Sequence, residues 1–193
     1  MEITTEHIKN LRDQTGVSIM QCKKALEEAG GDSAKALVIL KKKSSEIAAK
    51  KGDRTLGASR IATYLHANGA VGSMVQLSSE TDFVSKNDEF GKLAYDIAMH
   101  VAASNPEFLQ SGDITEEAKS LAKSVFSEEV KDKPEAMREK IVEGKLAAYF
   151  KDKVLLEQAF IKNPDVTIGG LIESAVQKFG ERIEIVRYSR FSA

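Results

Sequence analysis

One cysteine, Cys22, is all the thiol that this 193-residue chain carries. An intramolecular disulfide framework is therefore excluded, and a reducing compartment fits. The helical setting of Cys22 suits a small buried side chain better than a reactive thiol. An excess of charge is also missing, with 28 basic residues against 29 acidic ones. No global field draws such a chain to nucleic acid or to an anionic membrane, so any contact of that kind must be local. No apolar run approaches a membrane span, and the opening MEITTEHIKNL is acidic and amphipathic where an export leader needs a positive start and an unbroken apolar stretch. A cytoplasmic protein, free of the membrane, is expected.

The usual signs of catalysis are missing too. His7, His66 and His100 pair with no second histidine, cysteine or carboxylate at a metal-ligand spacing. Gly30-Gly31 and Gly169-Gly170 lack the glycine-lysine-Ser/Thr continuation of a phosphate loop, so the chain is not expected to hold GTP itself. The pairs Glu27-Glu28 and Glu128-Glu129 fall on outward helical positions, where a solvated face is the ordinary outcome. Neither an enzyme nor a cofactor is expected.

What is present begins with helix punctuation. Thr4 or Thr5 can cap a first helix ending near Gly16, Ser18 a second ending at Gly30-Gly31, and Asp32 or Ser33 a third. Ile8, Leu11, Val17, Met20, Leu26, Ala29, Ala36, Leu37 and Leu40 would give these helices inward stripes. Residues 1–43 thus read as a compact three-helix module. Lys41, Lys42, Lys43, Lys50, Lys51 and Arg54 crowd the next stretch. It can be a local phosphate-binding patch or a solvated, partly helical linker over residues 44–56, and charge runs of this kind are ordinarily the latter.

From residue 57 the pattern is mixed. Ile61–Ala67 and Val71–Leu77 flank Asn68-Gly69, the strongest two-residue signal for a tight hairpin. Helices are expected from Asn87 to about Ser104, stopped by Asn105-Pro106, from Thr115 to about Val130, and from Pro134 to about Tyr149. Gly169-Gly170 should precede another, ending before Gly180, and Arg182–Phe191 reads as a returning strand. The expected fold is α+β, with a small three-stranded antiparallel sheet packed with helices.

Between the hairpin and the helix after it stands Thr81-Asp82-Phe83-Val84. A large apolar side chain such as Phe83 on a connection either plugs the adjacent core or stands out to enter a partner's pocket. The segment Gln76 to Asn87, QLSSETDFVSKN, resembles the signature of bacterial elongation factor Ts, and Leu11 to Leu26, LRDQTGVSIMQCKKAL, resembles the N-terminal motif of the same family. Similarity continues to Arg190-Phe191 and covers nearly the whole chain. Gln76 stands where the family more often has Glu, Ser78 where Asn or Val is usual, and Ile19 where Met is commoner.

The resemblance implies a guanine-nucleotide exchange factor that binds elongation factor Tu, both GDP-bound and nucleotide-free. It implies that Thr81, Asp82, Phe83 and Val84 form the loop that displaces the partner's magnesium ion, with Phe83 as the wedge. It further implies a ubiquitin-associated type of fold for the first module, docking through Arg12, Ile19, Met20 and Lys23. A different class, a ribosome- or RNA-associated module using residues 41–54, has electrostatics but no interleaved aromatic surface on which bases could stack. Short members of the family tend to be dimers. In the proposed strands Ile61, Thr63, Leu65, Val71, Val75, Leu77, Ile183 and Ile185 form the face for the helices to cover, leaving Tyr64, Met74, Val186 and Tyr188 as a half-apolar outer face for a second copy.

Overall fold

The computed structural model describes residues 3–193. Helices α1 (Thr5–Thr15), α2 (Ile19–Glu28) and α3 (Ser33–Lys50) open the chain. Each begins on a side-chain cap: Thr4 accepts from His7 N, Ser18 from Gln21 N, and Asp32 from both Ala34 N and Lys35 N. Leu11, Val17, Cys22, Ala25, Leu26, Ala36 and Leu40 close a small core of their own. Met20, expected inward, is 66% exposed. The reason is angular, because Met20 lies two residues, about 200°, around the helix from the buried Cys22. Leu37, also expected inward, sits at the exposed margin of α3.

The basic stretch belongs to the C-terminal half of α3 and the turn beyond it. That half of the helix packs on α8 (Ile168–Phe179). Ser45 Oγ donates to Glu173 Oε2 at 2.5 Å, the Ser44 hydroxyl meets the Gln177 amide, and the Lys51 ammonium donates to the Gly180 carbonyl. Gly169-Gly170 falls inside the first turn of α8 rather than before it, with Thr167 capping at Gly170 N. A Cβ on Gly169 would stand 2.9 Å from the Leu156 carbonyl oxygen, so the helix can approach this closely only because the side chain is missing.

The rest is α+β. Strands β1 (Ala58–Leu65), β2 (Val71–Ser79) and β5 (Ile183–Ser192) form an antiparallel sheet in the order β1-β2-β5. Helices α4 (Asp82–Ser85) and α5 (Asp88–Ser104) follow β2. Then α6 (Glu116–Glu129) and α7 (Glu135–Lys151) pack on each other, and a two-stranded hairpin of β3 (Ala159–Phe160) and β4 (Asn163–Thr167) leads into α8. Val75, Leu77, Phe90, Ile97, Val101, Leu155, Ile168 and Ile183 lie in one continuous core. Among the described residues no helix is long and apolar enough to cross a membrane.

Two local features differ from expectation. Asn68-Gly69 lies within a wider loop over residues 67–70, closed by His66 N donating to Val71 O at 2.8 Å, with Gly69 at φ 72°. On the covered face Val75, Leu77, Ile183 and Ile185 are buried as expected, but β1 is out of phase with expectation. Antiparallel pairing sets Ile61 opposite Gln76, Thr63 opposite Met74 and Leu65 opposite Gly72, so these residues share the outer face. Ala62 and Tyr64 stand with Val75 and Ser73 on the inner face. In β5 the register shifts between Gln76 and Leu77, so that Val186 becomes an extra residue and Tyr188 pairs with Val75. Tyr64 and Tyr188 therefore turn inward. Tyr64 lies edge-on to Tyr95 of α5, and the Tyr188 hydroxyl donates to Pro106 O at 3.1 Å. Met74 remains exposed, as does Val186 at the bulge. A one-residue change of phase moves every side chain to the opposite face, and a bulge does so halfway along a strand.

Candidate functional site

The stretch Thr81–Val84 is the entrance to α4, the one-turn helix between β2 and α5. Phe83 is 82% exposed, while Val84 beside it is 3% exposed and belongs to the main core. The side chain that could have plugged the core stands out instead, and its neighbour fills that role. The Asp82 carboxylate receives Lys86 Nζ at 2.6 Å, one turn on, and this ammonium holds Asp82 below the usual carboxylate range. Ser85 Oγ donates to Asp82 O at 3.2 Å, closing the turn from inside.

Thr81 has no side-chain capping bond. Its hydroxyl instead donates to Glu181 Oε1 at 2.6 Å, its amide donates to Glu181 Oε2 at 3.0 Å, and its carbonyl accepts from Ser79 Oγ at 2.9 Å. One residue earlier the relationship is mirrored, since the Glu80 carboxylate accepts from Arg182 N at 2.6 Å. Residues 80–81 and 181–182 thus exchange side-chain-to-backbone hydrogen bonds across the end of the sheet. Arg54 adds its Nη1 to Glu80 at 3.1 and 3.2 Å. The Arg182 amide first, and Arg54 after it, keep Glu80 ionised below the usual range. Gly57 is required beside this cluster, because a Cβ there would lie 2.6 Å from the Glu80 carbonyl oxygen.

The other expected contact residues, Arg12, Ile19, Met20 and Lys23, are all exposed on α1 and α2. Ile19 and Met20 occupy the first turn of α2, and Lys23 pairs with Glu27 at 3.8 Å. An exposed isoleucine and methionine side by side on a short amphipathic helix form an apolar spot that the module's own core does not use. In the basic stretch, Lys43 pairs with Glu28 at 2.5 Å, Lys51 with the Gly180 carbonyl and Arg54 with Glu80. Half of its six cations therefore serve the fold.

Sequence reasoning missed Glu181 and Glu80. Nothing local marks Glu181, a charged residue after a helix-ending glycine, and only the return of β5 beside β2 brings it to Thr81. Of the four residues expected on the outer sheet face, Met74 and Val186 are exposed, while Tyr64 and Tyr188 are not part of it. That face presents Ile61, Leu65 (70% exposed), Met74 and Phe191 (72% exposed), with Phe191 opposite Gly72.

The family model described as Elongation factor TS matches residues 33–193. The chain is 46% identical over 192 residues to Elongation factor Ts of Thermodesulfovibrio yellowstonii, covering 99% of this chain and 96% of the relative. It is 44% identical over 191 residues to that of Thermotoga petrophila, with 99% and 96% covered. To that of Koribacter versatilis it is 42% identical over 193 residues, with 99% and 88% covered.

Proposed function

Because the chain belongs to the elongation factor Ts family, we propose that it is a guanine-nucleotide exchange factor that binds elongation factor Tu, accelerates GDP release and breaks no covalent bond. The physics is linkage. A partner that weakens nucleotide binding is itself bound less tightly, by the same factor, when nucleotide is present. Exchange then runs through a strained ternary complex, and the strain has to be applied where the nucleotide is held. A GTPase of the P-loop class holds it partly through a magnesium ion bridging the phosphates. A rigid aromatic entering beside that ion displaces it.

The observation that carries this reading is Phe83, 82% exposed in a helical turn held by Thr81 before it and Val84 after it. A phenylalanine standing out of a turn that is itself held in place offers a partner a preformed aromatic anchor, and such anchors dominate the energy of protein interfaces. Asp82 is its polar neighbour, Thr81 and Val84 its anchors. Residues 1–43 act as a docking module of ubiquitin-associated type through Arg12, Ile19, Met20 and Lys23, and residues 57–193 carry the loop.

The factor works in the cytoplasm as a homodimer that binds two partner molecules. A second copy packs on the outer sheet face, where Ile61, Leu65, Met74 and Phe191 make an apolar patch that a solvated sheet would not carry. The test of the exchange reading is a titration of this protein into elongation factor Tu loaded with labelled GDP. The release rate should rise hyperbolically with concentration. A flat response, together with a steeply salt-dependent shift of RNA, would favour a nucleic-acid module instead.

A further inference from the structure

A one-turn helix is not stable by itself, since the first turn fixes several residues for a single hydrogen bond. The Thr81–Phe83 segment therefore owes its geometry to what surrounds it. Phe83 gives no internal packing, the hydroxyl of Thr81 makes no cap, and the Asp82–Lys86 pair is exposed at both ends. Exposed pairs of this kind contribute little to order. The Ser79 and Ser85 hydroxyls bind the Thr81 and Asp82 carbonyls from within the same stretch of chain, and two ties to the rest of the fold remain, Val84 below and the Glu181 carboxylate at the side. Glu181 takes both donors of Thr81, at 3.0 and 2.6 Å, and so fixes the position of that residue and the direction in which the chain leaves it. A bidentate, charge-assisted arrangement of this kind adds geometric specificity as well as energy. Glu181 is in turn held at its base, where Gly180 ends α8 at φ 74° and Lys51 binds the Gly180 carbonyl, while Arg182 N is bonded to Glu80.

We propose that Glu181 is a positioning residue for nucleotide exchange: it touches neither nucleotide nor magnesium, and acts by presenting Phe83 in the orientation that enters the partner. The inference rests on the exchange reading above. Its chemistry is preorganisation, because a loop already in its bound geometry loses no conformational freedom on insertion. Release of the clamp leaves the docking surface on α1 and α2 untouched. The loss then appears in the rate of GDP release from the saturated complex, not in the concentration needed to form it.

The experiment measures labelled-GDP release from elongation factor Tu over a full titration with wild type, Glu181→Ala, Glu181→Gln, Thr81→Val and Phe83→Ala, each with a thermal melt. Glu181→Ala should lower the saturating rate about tenfold and move the half-saturating concentration less than about twofold. Glu181→Gln keeps a carbonyl oxygen to accept from Thr81 and should recover to within about threefold of wild type, a rescue that general destabilisation would not give. Thr81→Val removes the shorter bond in nearly the same volume and should be depressed alongside Glu181→Ala, with little further loss when the two are combined. That variant decides the matter if Glu181→Ala melts early. A wild-type saturating rate in Thr81→Val, or in a folded Glu181→Ala, while Phe83→Ala is impaired overturns the positioning role alone. A wild-type rate in Phe83→Ala overturns the role of Phe83 as the wedge, and the role of Glu181 with it, whereas a flat response in the wild type overturns the exchange reading itself.

Discussion

Phe83 and Val84 are adjacent in the chain and opposite in environment, the first 82% and the second 3% exposed. One turn of helix between a strand and α5 turns them to opposite sides, and the two substitutions to alanine should separate cleanly. Val84→Ala removes buried methyl groups from the main core and should cost about 1–3 kcal/mol of stability. At roughly 2–4 °C per kcal/mol for a chain of this size, differential scanning calorimetry resolves that loss. Phe83→Ala should melt with the wild type. If Phe83→Ala melts several degrees early, Phe83 has a structural role that its exposure does not show.

A second expectation concerns pH. His100 on α5 is fully buried, with its Nε2 2.9 Å from Gln158 Oε1 and its Nδ1 accepting from Ile161 N at 3.4 Å. Burial holds its pKa below the ordinary 6.5, and the bond to Gln158 only partly opposes this. The unfolded chain then binds the proton more readily than the folded one. Stability should therefore be complete above about pH 6.5 and fall as the pH drops below that value towards the lower folded pKa. Asp82 and Glu80, whose pKa values are also lowered, act only in the carboxylate range further down. Urea midpoints at pH 7.5 and 5.5 should differ in wild type and converge in His100→Asn, and an equal pH dependence in both proteins would contradict the assignment.

The inward turn of Tyr188 changes which substitution tests a dimer. Its hydroxyl meets Pro106 O, and burial, helped by Asp113 and Glu107, pushes its pKa up to about 12. Tyr188→Asp would set a carboxylate in that same unfavourable place, so it should destabilise the fold rather than separate two copies. Leu65→Asp and Phe191→Asp, on the outer face, should keep the wild-type melt of the single chain and shift sedimentation from a dimer towards a monomer. A monomeric wild type would remove this face as an interface.

Truncation tests the role of α3. The family match begins at residue 33, the first residue of that helix, and α3 lies against α8 through Ser44, Ser45 and Lys51. A chain starting at Asp32 should retain the sheet-and-helix core and stimulate exchange only at higher concentration. A chain starting at Gly52 would uncover the side of α8 that α3 packs on and should melt lower than the first. Equal melting temperatures would show that α3 contributes nothing to the core.

Much of this architecture could be read from local chemistry. The caps at Thr4, Ser18, Asp32, Asn87 and Thr115, and the stop at Asn105-Pro106, are written in residues within one turn of the boundary they set. The sheet faces were not legible in the same way. β1 carries Ile61 and Leu65 on its outer side and Ala62 on its inner side, so hydrophobicity points to the wrong face, and the bulge at Val186 leaves no local mark. For the candidate site, Thr81–Val84 and the exposed pair Ile19-Met20 were legible through family resemblance. Glu181 was not, because its partner lies 100 residues away and the contact exists only once β5 has returned to β2.

On the proposed function, Phe83 should act on a partner and not on its own fold. The most direct measurement is labelled-GDP release from elongation factor Tu at saturating concentrations of wild type and Phe83→Ala, with both melts taken on the same preparations. The melts should coincide and the variant's rate should be about thirtyfold lower, the equivalent of ~2 kcal/mol at a central aromatic anchor. Coincident melts with coincident rates would contradict that role of Phe83.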